Sequence, residues 1–160
     1  MKEKTMEAQI RRELTFSNFE EITKDINDLI SGESRTTGNH SFGKIIQHLA
    51  ITNNLAVGKI KPPSIPLPMQ EMIPSIKDSV LNGPAEPGFQ LPSAEMQNFF
   101  WPEEEIEPEI ALENFKESVA RYETDGPLPE HPIFGTATKE QVHNLLVSHA
   151  SMHLSFVHPA

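Results

Sequence analysis

Ten of the fourteen prolines in this 160-residue chain fall between Lys59 and Pro108. A proline inside a helix removes a backbone donor and drives its ring into the carbonyl four residues back. In a sheet interior it removes a ladder bond, so this segment is a poor carrier of long regular structure of either kind. The regular part of the fold has to come from the two flanks, and both flanks have a helical period.

In the N-terminal flank Ser17-Asn18-Phe19-Glu20 has capping-box spacing, and Phe19, Ile22, Ile26, Leu29 and Ile30 follow at steps of three and four. This predicts a first helix over 17–30, stopped by Ser31-Gly32. Ser41 then caps a second helix, over 41–57, whose apolar residues Phe42, Ile45, Ile46, Leu49, Ala50, Leu55 and Ala56 cover much of its circumference. Such a helix is buried on several sides. In the C-terminal flank Ile110, Leu112, Phe115, Val119 and Tyr122 predict a third helix over 109–123, ending near Thr124-Asp125-Gly126-Pro127. Thr138-Lys139-Glu140-Gln141 is a second capping-box spacing and opens a fourth helix over 139–157, ended by His158-Pro159.

Within 59–108 one short helix is expected, starting at Pro74 and running through Ile76 and Val80 to Asn82-Gly83. The segment also carries Met69, Met72, Phe89, Phe99, Phe100 and Trp101, so it should pack over the helices as a long crossover, with a lid as its functional alternative. No strand pairing larger than a hairpin is expected. Four long helices with one long connection between the second and third describe an all-α fold, a four-helix bundle with a crossover, as a single domain over 1–160.

The absence of cysteine excludes disulfides, thiolate clusters and a cysteine nucleophile, so any metal must be held by nitrogen and oxygen. Thirteen Lys and Arg against 23 Asp and Glu give a formal charge of −10, without the basic stripe that a phosphate backbone needs, and no nucleic-acid partner is expected. The acidic run Glu103, Glu104, Glu105, Glu107 and Glu109 reads as a solvated helix start. No apolar run follows the N-terminal charges or reaches membrane-spanning length elsewhere, so the expectation is a soluble, cytoplasmic chain with no membrane partner.

The histidines carry the chemistry. At about 100° per residue, Val142, Leu145, Leu146, Met152, His153 and Phe156 lie within about 60° of His149 on the fourth helix, so both imidazoles are expected to face the core one turn apart. His143 falls about 120° away among polar neighbours. Two adjacent imidazoles on an apolar face each need a partner away from water, and a shared metal ion satisfies both. His48, at the edge of the apolar arc of the second helix, is the best-placed third ligand. The metalloprotease helix pattern is missing, because Ala150 stands where a glutamate would follow the first histidine.

Three short stretches carry a family resemblance: Ile46-Gln47-His48-Leu49-Ala50 on the second helix, His131-Pro132-Ile133-Phe134-Gly135 before the fourth, and His149 with His153-Leu154 within it. In order and spacing, from about Arg12 to Pro159, the chain resembles the DinB/YfiT-like superfamily. The resemblance implies a four-helix bundle whose second and third helices run parallel. It also implies a divalent ion on His48, His149 and His153, and an activity of metal-dependent hydrolysis or of thiol transfer to small electrophiles. Many members form homodimers, so a homodimer is a further expectation. The proline-rich segment departs from the better-studied members, and their substrate pockets do not carry over.

Two functions follow for test. In the first, three neutral imidazoles leave a coordination position for water or a small-molecule substrate, and the chain is a metal-dependent enzyme. In the second, the bundle binds a metal or ligand without transforming it. His131 and His158 are the candidates for a fourth ligand or an acid–base group, with turn capping or solvent exposure as their ordinary roles. Zinc or nickel is the expected ion, with iron, manganese or copper as alternates, since imidazole suits several of them.

Overall fold

The computed structural model describes residues 10–87, 91 and 93–160. Among them six helices follow in the order α1 (Phe19–Ser31), α2 (Phe42–Ala56), α3 (Leu67–Asn82), α4 (Ala94–Phe100), α5 (Pro108–Asp125) and α6 (Lys139–Leu154). Two antiparallel two-stranded ribbons complete the described elements, β1 (Ser34–Thr36) with β4 (Val157–Pro159), and β2 (Glu130–His131) with β3 (Gly135–Thr136). The fold is mostly helical, and none of these helices is long and apolar enough to cross a membrane.

The caps explain the helix starts. Asn18 caps α1 by accepting the Glu21 N–H, one residue later than the sequence spacing predicts, and the Glu21 side chain accepts the N–H of Ser17 rather than that of the cap, so the expected reciprocal box does not form. Ser41 accepts the Lys44 N–H at the start of α2. At α6 the expected box is complete, with Thr138 and Gln141 satisfying one another's backbone donors. Helix α5 begins on Pro108, whose missing donor is one the first turn would leave unpaired anyway, and ends on Gly126 with φ +72.

Helices α1, α2, α5 and α6 share one core, in which Ile22, Ile26, Ile46, Leu49, Phe115, Val142 and Leu154 are almost fully buried. Each such side chain stabilises the fold by about 1.5–3 kcal/mol relative to its exposed state. The proline-rich segment has a smaller core of its own, where Met69 and Ile73 of α3 meet Met96 and Phe100 of α4, Leu55 of α2 and Ile133. It therefore packs on the other helices as expected.

Three elements differ from the sequence expectation. Helix α3 starts at Leu67 and runs through Pro74, because Met69 and Ile73 reach the second core only if the earlier turns are helical. Helix α4 was not foreseen; Ser93 caps it, and Met96 and Phe100, one turn apart, bury its inner side. Helix α6 ends at Leu154, short of the expected 157. The Arg12 guanidinium, paired with Asp25, donates to the carbonyls of Leu154 and Val157 and so satisfies the helix end, and the chain then leaves to pair with β1.

Candidate metal centre

His48 comes from the middle of α2 and His149 and His153 from the last two turns of α6. The fold brings the three rings together, with centroids 4.8 Å (His48–His149), 4.8 Å (His48–His153) and 4.5 Å (His149–His153) apart. One ring nitrogen of each lies within 4.8 Å of the others, and this is the group among the described residues that could hold a metal ion.

Hydrogen-bond chemistry settles which nitrogens face inward. The Phe100 carbonyl can only accept, so His48 Nδ1, 2.7 Å away, carries the proton and donates it. The Nε2 of neutral His48 is then a bare lone pair. It meets His149 Nε2 at 3.2 Å, and His149 Nε2 meets His153 Nε2 at 3.0 Å. Both contacts can be hydrogen bonds only if one His149 proton is shared between two acceptors; in every other neutral arrangement either two lone pairs or two N–H groups confront each other. A cation at the common point satisfies all three nitrogens at once, and the set of borderline imidazole donors fits a divalent transition ion.

Burial keeps the rings neutral. It is the main cause holding His48 and His153 well below the ordinary imidazole value of 6.5, with the neighbouring histidines adding to it, and it lowers His149 to about 4. The charges acting on His48 come from His149 and His40, and those acting on His153 from His149, His48 and His40.

The orientation of α6 differs from the periodicity reading. Its buried residues, Val142, Leu146, Val147, Ala150, Ser151 and Leu154, centre nearer Ala150 than His149. Ser151 turns inward because its hydroxyl accepts the Phe16 N–H and donates to the Val147 carbonyl. His149 and His153 consequently stand on the rim of the core, partly exposed, while His48 is buried.

Two aromatic neighbours escaped the sequence reading. Trp101 stacks on His48, with centroids 3.8 Å and planes 6° apart, and His40 stacks on the other face of Trp101 at 3.6 Å and 9°. Trp101 also meets His153 edge to face at 5.2 Å. The run Phe99-Phe100-Trp101 marked this stretch as buried but carried no sign of what it covers, and His40, in a polar loop, carried no signal at all.

The other histidines lie elsewhere. His131 Nδ1 accepts the N–H groups of Ile133 and Phe134, which makes it the cap of the β2–β3 turn. His158 sits 3.2 Å from the Thr37 hydroxyl on β4, and His143 donates to the Ser17 carbonyl. Two clefts, of about 290 and 210 Å³, lie at Ser41–Gly43 with Glu105–Pro108 and at Pro74–Asn82 with Gln141; none of the three clustered histidines lines either.

One family model matches residues 8–160, and its description reads protein of unknown function (DUF1569). No curated protein and no solved structure matches the chain.

Proposed function

The chain belongs to the DUF1569 family, a family of unknown function, and we propose that it is a metal-dependent enzyme acting on a small molecule, with His48, His149 and His153 as the ligands of one divalent ion. The observation that carries the reading is the convergence of three neutral imidazoles whose inward nitrogens no neutral set of tautomers pairs with two separate hydrogen bonds. Three protein ligands also favour an open over a closed site, since structural zinc sites generally use four.

When bound, such an ion supplies Lewis acidity, which polarises a carbonyl or acidifies a thiol or water. The protein's own part is to hold three imidazoles deprotonated, to orient His48 through the Phe100 carbonyl, and to offer access past the partly exposed rims of His149 and His153. Proton removal from a bound thiol or water would fall to a group outside the three rings, and a thiol gives up its proton far more readily than water does.

The same arrangement supports reading the fold as a DinB/YfiT-like four-helix bundle, with the proline-rich segment as the crossover between α2 and α5. The shared core of α1, α2, α5 and α6 is its support. A homodimer and a cytoplasmic location belong to the same proposal. The second reading is a metal-binding bundle without catalysis, and the placing of both described clefts away from the three rings speaks for it.

Metal content separates these readings. Protein purified without an affinity tag should hold one divalent ion per chain, zinc or nickel first. His153→Ala should lower that content with the helical circular-dichroism signal retained, and stoichiometric binding by the His48→Ala/His149→Ala/His153→Ala variant would show that the ligands are others. Turnover of thiol-plus-electrophile, ester or amide panels that disappears with His48→Ala establishes the enzyme. Stoichiometric metal with no such turnover leaves the non-catalytic reading.

A further inference from the structure

The stretch that follows α4 is fastened along the first half of α2 at four points. His48 Nδ1 donates to the Phe100 carbonyl at 2.7 Å, Trp101 stacks on the His48 ring, and Lys44 Nζ donates to the Glu103 carbonyl at 3.0 Å. At the fourth point the backbones touch: a Cβ on Gly43 would stand 1.8 Å from the Ile106 carbonyl oxygen. Pro102 contributes to the fit, since the residue before a proline is pushed toward extended geometry, and Trp101 has φ −125 and ψ 128. The helix α4 stops there, and its last carbonyl and the indole after it both arrive at His48.

A hydrogen bond at Nδ1 restrains rotation about the His48 Cβ–Cγ bond, but its broad angular dependence still lets the ring tilt. A parallel indole at van der Waals distance removes the tilt. From this geometry we propose that Trp101 is a positioning residue of the three-histidine site: clamped between His40 and His48, it sets the His48 ring plane so that Nε2 points at the common centre. The Phe100 carbonyl fixes the tautomer, Trp101 fixes the plane, and His40 is the outer plate that keeps the indole flat. His40 is half-buried and sits directly ahead of the Ser41 cap, so the clamp is anchored to α2 at both ends.

The inference rests on the metal reading for its function, but the positioning itself is measurable without an ion. Trp101 is the chain's one tryptophan, so its emission reports the clamp alone. The experiment compares the native chain with Trp101→Phe, Trp101→Leu and His40→Ala, each checked by circular dichroism. Two quantities are read: the zinc dissociation constant by chelator competition, and the exchange-protected Nδ1–H signal of His48 by nitrogen-edited NMR of the metal-free chain. Loss of an outer-shell partner commonly costs 10–100-fold in metal affinity, so Trp101→Leu should weaken zinc about tenfold and lose the His48 signal. A flat ring rescues: Trp101→Phe should stay within about threefold, the worth of one ring–ring contact. His40→Ala, in a loop outside the core, should weaken zinc about threefold, broaden the His48 signal and shift the Trp101 emission.

Equal zinc affinity and an unchanged His48 signal in Trp101→Leu would overturn the clamp, as would a Trp101→Phe loss equal to that of Trp101→Leu. Should Trp101→Leu fail to fold, His40→Ala decides alone, and native values there overturn the clamp. A native chain that binds no zinc yet shows the His48 signal, lost in Trp101→Leu, would sink the metal reading and leave the positioning standing.

Discussion

At Gly43 the absence of a side chain is a packing requirement rather than a matter of backbone freedom. The helix there can approach the carbonyl of Ile106 only because no Cβ intervenes. Gly43→Ala should therefore cost about 3 kcal/mol or more, since the atom that would have to move is backbone, and overpacking commonly costs 1–3 kcal/mol even where side chains can give. Urea unfolding measures this, and a Trp101 emission shift below the transition should accompany it; an unchanged midpoint would mean that the strap is looser than its contacts indicate. Gly43 carried no such signal in the sequence, where it looked like one more residue in a first turn. His48, His149 and His153 did, through their spacing on apolar helices, although the core-facing direction expected of the last two gave way to the rim. Their common centre depends on α2 meeting α6, a contact between residues about 100 positions apart.

Among the elements, the helix starts were legible because a cap is local: Ser41 and Thr138 do in the fold what their spacing predicts. Removing the reciprocal box with Thr138→Ala should cost about 1 kcal/mol, seen as a lower thermal midpoint with little change in metal content. Helix α3 is the counter-case. Pro74 stands eight residues into it, where its ring opposes the Gln70 carbonyl, and local rules put a helix start there rather than an interior. Burial of Met69 and Ile73 against α4 overrides that rule. Pro74→Ala should consequently stabilise the chain by about 1–2 kcal/mol, the interior-proline penalty of about 3 less the entropy returned to the unfolded chain. A fall in the urea midpoint would instead mean that the proline ring packs better than alanine can. Helix α4 was missed because seven residues are too few to establish a period among prolines.

For the whole molecule, buried histidines make stability depend on pH. His131 has its pKa lowered to about 4 by burial, against 6.5 in the unfolded chain. Between these values the unfolded state binds a proton that the folded state does not, so stability is full above about pH 6.5 and falls as the pH drops toward 4, by on the order of 3 kcal/mol for this group. His48, His149 and His153 shift in the same direction and add to the loss. The urea midpoint of the metal-free chain should drop steeply between pH 7 and 4.5, and a flat profile would show that these rings are hydrated. Zinc at a hundredfold excess over its dissociation constant should add about 2.7 kcal/mol at pH 7 and progressively less in acid, where protons compete for the same nitrogens. The helical class, the caps and the three histidines were readable from sequence because period, capping and residue chemistry act within a turn or two of chain. The rim position of His149 and His153, the end of α6 under Arg12, and the His40–Trp101–His48 stack were decided by tertiary structure alone. Each depends on which distant segment arrives at a given face, and packing free energy sets that over the whole core at once.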